Sequence, residues 1–120
     1  MMIQAVVLGA SGYVGGELLR LVAGHPEFEL AAAVSDSKAD TAVRDTFGHL
    51  AIALPDAQFV GRSAWIGDIA EDSKVALFCA APHGEAAKSI ADALNAGAAS
   101  DLDIHVVDAS ADFRFAEQAT

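Results

Sequence analysis

The chain has 120 residues, 53% hydrophobic and 7% aromatic, which suits one α/β domain with a real core and is short for a dehydrogenase that carries its own substrate domain. Seven basic against 17 acidic residues give a formal charge of −10, which argues against a broad phosphate-tracking surface, so no nucleic-acid partner is expected. Residues 1–8 lack the basic segment of a secretory signal, and no apolar run approaches the roughly 18 to 20 residues of a membrane span, so a cytoplasmic protein without a membrane partner is expected.

The apolar run Ile3 to Leu8 predicts a first strand, and Gly9-Ala10-Ser11-Gly12-Tyr13-Val14-Gly15 follows it directly. Val14, Leu18, Leu19, Leu21 and Val22 then recur at helical spacing, predicting a helix from Tyr13 to Ala23 that Gly24 caps and Pro26 prevents from resuming. Phe28 to Val34 predicts a second strand and completes a βαβ unit. Where a strand hands over to a helix, glycines let the backbone approach a phosphate and let helix and strand pack closely. The helix N-terminus adds unpaired N–H groups and a positive dipole end. The spacing is G-x-x-G-x-x-G rather than the commoner G-x-G-x-x-G, so position carries the assignment of this turn to a dinucleotide phosphate. Ser11 has two open roles, capping the helix or touching the phosphate.

Ser35-Asp36-Ser37-Lys38 falls at the carboxyl end of the second strand. An acid there accepts hydrogen bonds from a free ribose 2′-hydroxyl, whereas a cation and hydroxyls suit a 2′-phosphate. Asp36, about 20 residues past the glycine turn, points to NAD, while Ser35, Ser37 and Lys38 point to NADP. These residues alone leave the two open.

Residues 39–70, interrupted by Gly48, Pro55, Gly61 and Gly67, read as irregular structure with a short strand near Gln58 to Val60. Val75 to Ala80 is a continuous apolar run suited to a strand buried on both faces. Cys79 in that run reads as a small buried hydrophobe rather than a nucleophile, and as the single cysteine it forms no internal disulfide. Pro82-His83-Gly84 turns the chain, Glu85 to Ala96 predicts an alanine-rich helix ending near Gly97, and Ile104 to Val107 predicts the last strand. His83 is either a turn residue or part of a cofactor pocket. The histidines at 25, 49, 83 and 105 have no paired metal-ligand spacing, so no metal site is expected. Arg114, in a chain poor in cations, either forks onto an anionic substrate group or pairs with Asp108 or Asp112.

This alternation predicts an α/β fold: a Rossmann-like, doubly wound, mostly parallel sheet in a single domain with right-handed crossovers. Ligands of such sheets gather outside the carboxyl ends of the strands. Four segments fall there: the glycine turn, Ser35 to Lys38, Ala80 to Gly84, and Asp108 to Arg114.

Gly9-Ala10-Ser11-Gly12-Tyr13-Val14-Gly15, Ala81-Pro82-His83-Gly84, and Ala111-Asp112-Phe113-Arg114 after Val107-Asp108 resemble, in order, the N-terminal half of the N-acetyl-gamma-glutamyl-phosphate reductase family. The likeness spans nearly the whole chain. The related aspartate-semialdehyde dehydrogenase family shares the fold and an arginine after a similar strand, but Ala-Pro-His-Gly with Ala-Asp-Phe-Arg resembles the arginine-biosynthetic family. The resemblance implies an NADPH-dependent reduction of N-acetyl-glutamyl 5-phosphate to the semialdehyde with release of inorganic phosphate, NAD being the less favoured cofactor. In that chemistry a cysteine thiolate attacks the acyl phosphate and hydride reduces the resulting thioester.

The same resemblance implies that Gly9, Ser11, Gly12, Tyr13, Val14 and Gly15 hold the pyrophosphate. It implies Ser35, Ser37 and Lys38 near the adenosine 2′-phosphate, Ala80, Ala81, Pro82 and His83 beside the cofactor, and Arg114 on the substrate phosphate. The family's catalytic cysteine lies in a Gly-Cys-Tyr-Pro-like motif that residues 1–120 do not contain, and its histidine comes later still; Cys79 does not match it. The chain is therefore expected to be an NAD(P)-binding domain, truncated before the catalytic and dimerisation domain of a homo-oligomeric parent and inactive alone. A stand-alone NADP-sensing module is the non-enzymatic alternative. Ala99 to Asp103 reads as a surface loop longer than the family's usual connection.

Overall fold

The computed structural model describes residues 3–61, 65, 69, 73–80, 86–99 and 102–108. In chain order the elements are β1 (Ile3–Leu8), α1 (Tyr13–Gly24), β2 (Phe28–Val34), α2 (Val43–Thr46), a 3-10 turn (Gly48–Leu50), β3 (Phe59–Val60), β4 (Lys74–Cys79), α3 (Ala86–Ala99) and β5 (Asp103–Asp108). The strands form one five-stranded sheet in the order β3-β2-β1-β4-β5. Every pairing in it is parallel, so the expected mostly parallel sheet is wholly parallel in its named strands.

A central strand covered on both faces carries apolar residues continuously rather than alternately. β1 does so: Ala5, Val6 and Val7 are fully buried, with β2 on one edge and β4 on the other. On one face Val6, Leu8, Ala32, Val34, Val75, Leu77 and Cys79 pack with Trp65 and with Ala93 of α3. On the opposite face Val7, Ala33 and Phe59 pack with Leu19 of α1, Val43 of α2 and Leu50. The chain winds away from β1 in both directions, and α1 and α3 pack on opposite faces, the arrangement that the right-handed crossover rule requires. Leu19 anchors α1 with no exposed surface, a burial whose loss on truncation to alanine costs about 2–5 kcal/mol.

Helix ends differ from the sequence expectation in an instructive way. Gly24 lies inside α1, and the C-cap is His25 in extended backbone, φ −95° and ψ 125°. Pro26 explains this, because its ring excludes the preceding residue from helical conformation and thereby ends the helix without a left-handed glycine. The His25 N–H donates to the Val22 carbonyl at 3.2 Å and closes the last turn. Likewise α3 runs through Gly97 to Ala99, since a glycine between alanines lowers helix propensity by only about 1 kcal/mol. Ala99 therefore belongs to the helix, and the connection expected there is shorter by that residue.

The segment expected to be irregular is more ordered than its sequence implies. α2 and the Gly48–Leu50 turn each place one side chain fully in the core, Val43 and Leu50, which are 0% and 1% exposed. Helical periodicity cannot register in elements this short. β3 lies within the expected short strand, at Phe59–Val60. β4 and β5 differ from expectation by a residue at their ends, and Ala80, just past β4, still donates its N–H to the Leu8 carbonyl at 2.8 Å. Among the described residues no helix is long and apolar enough to cross a membrane.

Candidate functional site

The strand order reverses at β1, which is followed by β2 on one side and bordered by β4 on the other. In open α/β sheets the crevice at the carboxyl ends of such strands is the ligand site. Residues 9–16 leave β1 into that crevice. Gly9 has φ 69°, a left-handed conformation that glycine adopts without steric cost. The Ala10 N–H donates to the Val34 carbonyl at 2.9 Å, so the turn is tied to the end of β2 before the helix begins.

Gly15 is where the first turn of α1 presses on this loop. A Cβ there would lie 2.5 Å from the Gly9 oxygen and 2.6 Å from both the carbonyl carbon and oxygen of Ala10. By contrast, a Cβ on Gly12 would meet only the Gly9 oxygen, at 3.8 Å, and Gly12 is exposed. Gly12 is the N-cap residue, no side chain caps the helix, and its first turn carries no acid. The N-terminal N–H groups and the positive end of the helix dipole are thus offered with no acid from the helix's own first turn against them. This cradle fits a dinucleotide pyrophosphate. Val14 is half-buried and Tyr13 is exposed.

Ser11 does not cap the helix. Its Oγ lies 2.8 Å from Ser35 Oγ, on the neighbouring strand end. Ser35 is the only buried polar residue among the described ones, 6% exposed; its N–H donates to the Val60 carbonyl at 2.9 Å. Ser35 Oγ is in turn 3.4 Å from the Oγ of exposed Ser37.

Lys38 follows, exposed, in a turn pinned at its backbone: its carbonyl accepts from the Thr41 N–H at 3.0 Å and from Thr41 Oγ1 at 2.7 Å. Asp40 takes a left-handed φ of 68° and donates its N–H to the Phe59 carbonyl at 2.8 Å. Phe59 donates back to the Thr41 carbonyl at 2.9 Å, and an antiparallel bridge joins Ala42 to Gln58. Hydroxyls and a cation at this strand end can serve a 2′-phosphate. Asp36 shares the loop, exposed, near Gly61: a Cβ on that glycine would lie 3.6 Å from Asp36 Oδ1.

Ala80 lies beside the glycine turn through its bond to Leu8. Ala81, Pro82, His83 and Arg114, the other sequence-predicted site residues, lie outside the described residues. Cys79 is fully buried between Leu8 and Asp108 on the flanking strands, as a small core residue. Among the described residues no group of His, Cys, Asp and Glu is arranged to hold a metal ion.

Phe47 escapes sequence reasoning. A Cβ on Gly16 would lie 2.6, 2.8 and 3.0 Å from its Cε1, Cζ and Cδ1, so the ring occupies the space over the first turn of α1. The ring stacks edge-on to Phe59 at 6.3 Å. The doubled glycine Gly15-Gly16 is the only trace of this contact in the sequence.

Residues 4–120 match the family described as semialdehyde dehydrogenase, NAD binding domain. The chain is 39% identical to an N-acetyl-gamma-glutamyl-phosphate reductase of Rhodobacter capsulatus, covering 97% of this chain and 30% of that protein. It is 42% identical to one from Acidothermus cellulolyticus, over 97% and 30% of the two. A putative [LysW]-L-2-aminoadipate/[LysW]-L-glutamate phosphate reductase of Haloarcula marismortui is also 42% identical, over 96% and 29%. The chain thus spans about 30% of the length of the curated relatives it matches. In fold it is similar to the aspartate semialdehyde dehydrogenase of Candida albicans, a structure with NADP, at a TM-score of 0.72 and 22% identity over 95% of this chain and 31% of that one. With the glycine turn at the switch point of a parallel sheet, the match over residues 4–120 establishes that the chain belongs to the semialdehyde dehydrogenase NAD-binding domain family.

Proposed function

We propose that this chain is the NADP(H)-binding domain of an acyl-phosphate reductase that converts N-acetyl-glutamyl 5-phosphate to N-acetyl-glutamate 5-semialdehyde. The observation that carries the cofactor reading is the close approach of Gly15 to the Gly9–Ala10 backbone, which opens an uncapped helix N-terminus onto the switch-point crevice. The substrate reading is supported by the names of the bacterial relatives and by the Ala81-Pro82-His83-Gly84 and Ala111-Asp112-Phe113-Arg114 motifs.

In this reading the glycine turn, with Tyr13 and Val14 opening α1, holds the pyrophosphate by backbone N–H groups. The Lys38 ammonium and the Ser37 hydroxyl receive the 2′-phosphate, and Ala80 to His83 border the cofactor. Bound NADPH supplies the hydride. Arg114 holds the substrate phosphate in a two-pronged contact. Acyl transfer falls to a cysteine and a histidine of the longer parent, a cytoplasmic homo-oligomer in this proposal.

Titration calorimetry of the full-length protein tests the cofactor half. NADPH binds more tightly than NADH, and Lys38→Ala narrows the difference by about tenfold, the size of one charge-assisted contact. Equal affinities for the two cofactors would hand the loop to Asp36 and overturn the NADP reading. For the substrate half, phosphate-dependent oxidation of N-acetyl-glutamate semialdehyde is expected from the full-length protein and not from residues 1–120 alone. Robust turnover by residues 1–120 would show that a group within them is catalytic.

A further inference from the structure

We propose that Ser35 is a positioning residue that joins Ser11 and Ser37 into one hydroxyl relay, and that the relay has a single outward-pointing proton for which the two halves of the cofactor compete. The inference rests on the cofactor reading above. Ser35 Oγ stands 2.8 Å from Ser11 Oγ and 3.4 Å from Ser37 Oγ. At 6% exposure it has little surface to offer a ligand, whereas Ser11 is half-buried and Ser37 exposed. One outer hydroxyl belongs to the glycine turn and the other to the loop after β2.

A serine hydroxyl has one proton to donate and two lone pairs to accept with. The three hydroxyls carry three protons, and the two internal hydrogen bonds consume two of them. When Ser11 donates to Ser35 and Ser35 to Ser37, the remaining proton leaves from Ser37. It meets an anionic 2′-phosphate there, and Ser11 shows only lone pairs. In the reverse direction Ser11 donates to a pyrophosphate, and Ser37 shows lone pairs that suit a ribose 2′-hydroxyl and repel a phosphate. If both outer serines donated inward, the Ser35 proton would be left in a buried environment with neither relay hydroxyl positioned to accept it, a costly arrangement. Ser11, on the part that both cofactors share, thereby influences the choice between them.

Calorimetric Kd values for NADPH and NADH on the full-length protein, with Ser11→Ala, Ser35→Ala and the double variant, test the relay. With NADPH the relay points to Ser37 and Ser11 turns only lone pairs toward the pyrophosphate, so Ser11→Ala leaves NADPH binding no weaker and lowers its Kd as that repulsion is removed; with NADH it raises Kd about tenfold, as expected for a lost donor to an anion. In the Ser35→Ala background the outer hydroxyls act independently, and Ser11→Ala costs both cofactors the same factor. A purely structural role for Ser35 would move both cofactors together in every background, and thermal melting of the apo-protein reports folding separately. Equal losses for NADPH and NADH on Ser11→Ala alone would overturn the relay and leave the cofactor reading standing. Failure of the unmodified protein to bind either cofactor would overturn both.

Discussion

Two loops meet at the carboxyl ends of β1 and β2, and they are held by different means. Residues 9–16 are fixed by steric fit of backbone against backbone: Gly9 is left-handed and Gly15 leaves no room for a Cβ. Residues 35–43 are fixed by hydrogen bonds to residues 57–60, while the side chains of Asp36, Ser37 and Lys38 stay exposed. The first arrangement is intolerant of an added atom at Gly15. The second is tied through its backbone, so the exposed Lys38 side chain can change, and cofactor preference with it, without steric effect on the glycine turn.

The sharpest break of this contrast is Gly15→Ala. The atoms it would strike at 2.5–2.6 Å are backbone atoms of Gly9 and Ala10, and these cannot rotate away as a side chain can. Overpacking of this kind costs at least about 3 kcal/mol, the upper end of its usual range. Urea denaturation is expected to show that loss, and calorimetry the loss of binding for NADPH and NADH alike. Binding within twofold of the unmodified protein would mean that cofactor does not use this turn.

Gly16→Ala comes next, because the obstacle is then the ring of Phe47 rather than backbone. The ring makes edge contacts with Phe59 at 6.3 Å and His49 at 6.0 Å, so it yields only in part. A loss of about 1–3 kcal/mol is expected. Adding Phe47→Leu to Gly16→Ala should recover part of it, giving a coupling of at least about 0.5 kcal/mol in a double-mutant cycle. Strict additivity would show that the ring does not set the position of α1.

What the sequence reveals follows the same division. β1 and β2 match their predicted bounds because apolar runs, each broken by one polar residue (Gln4, Glu29), end at strong punctuation, Gly9 and Ser35, and the glycine turn is legible because its requirement is local. Ser11 is legible only as a hydroxyl near a helix start; its partner lies 24 residues away in sequence, and no local pattern reports that pairing. The backbone bonds joining Asp40 and Thr41 to Phe59, and Val43 to Ala57, are hidden for the same reason, which is why that stretch reads as irregular. Gly24 and Gly97 mislead as stop signals because glycine ends a helix only where the chain turns left-handed, and the path is set instead by Pro26 at the first and by flanking alanines at the second.

Thr41→Val probes the loop after β2 with the smallest expected effect. The hydroxyl removed donates to the Lys38 carbonyl at 2.7 Å, but that carbonyl keeps the Thr41 N–H at 3.0 Å, and Thr41 is exposed. An acceptor left with one donor and access to water is not orphaned, so the stability loss stays below about 1 kcal/mol. The turn carrying Lys38 then has one tether in place of two, and the ammonium is less well ordered over a 2′-phosphate. NADPH should bind about twofold more weakly, the effect of a fraction of one hydrogen bond, with NADH unchanged. Gly15 behaves oppositely, since its substitution removes stability and both cofactors together. An equal weakening of NADPH and NADH by Thr41→Val would mean that this loop supports the common part of the cofactor, and the separation between a rigid cradle and a selective loop would fail.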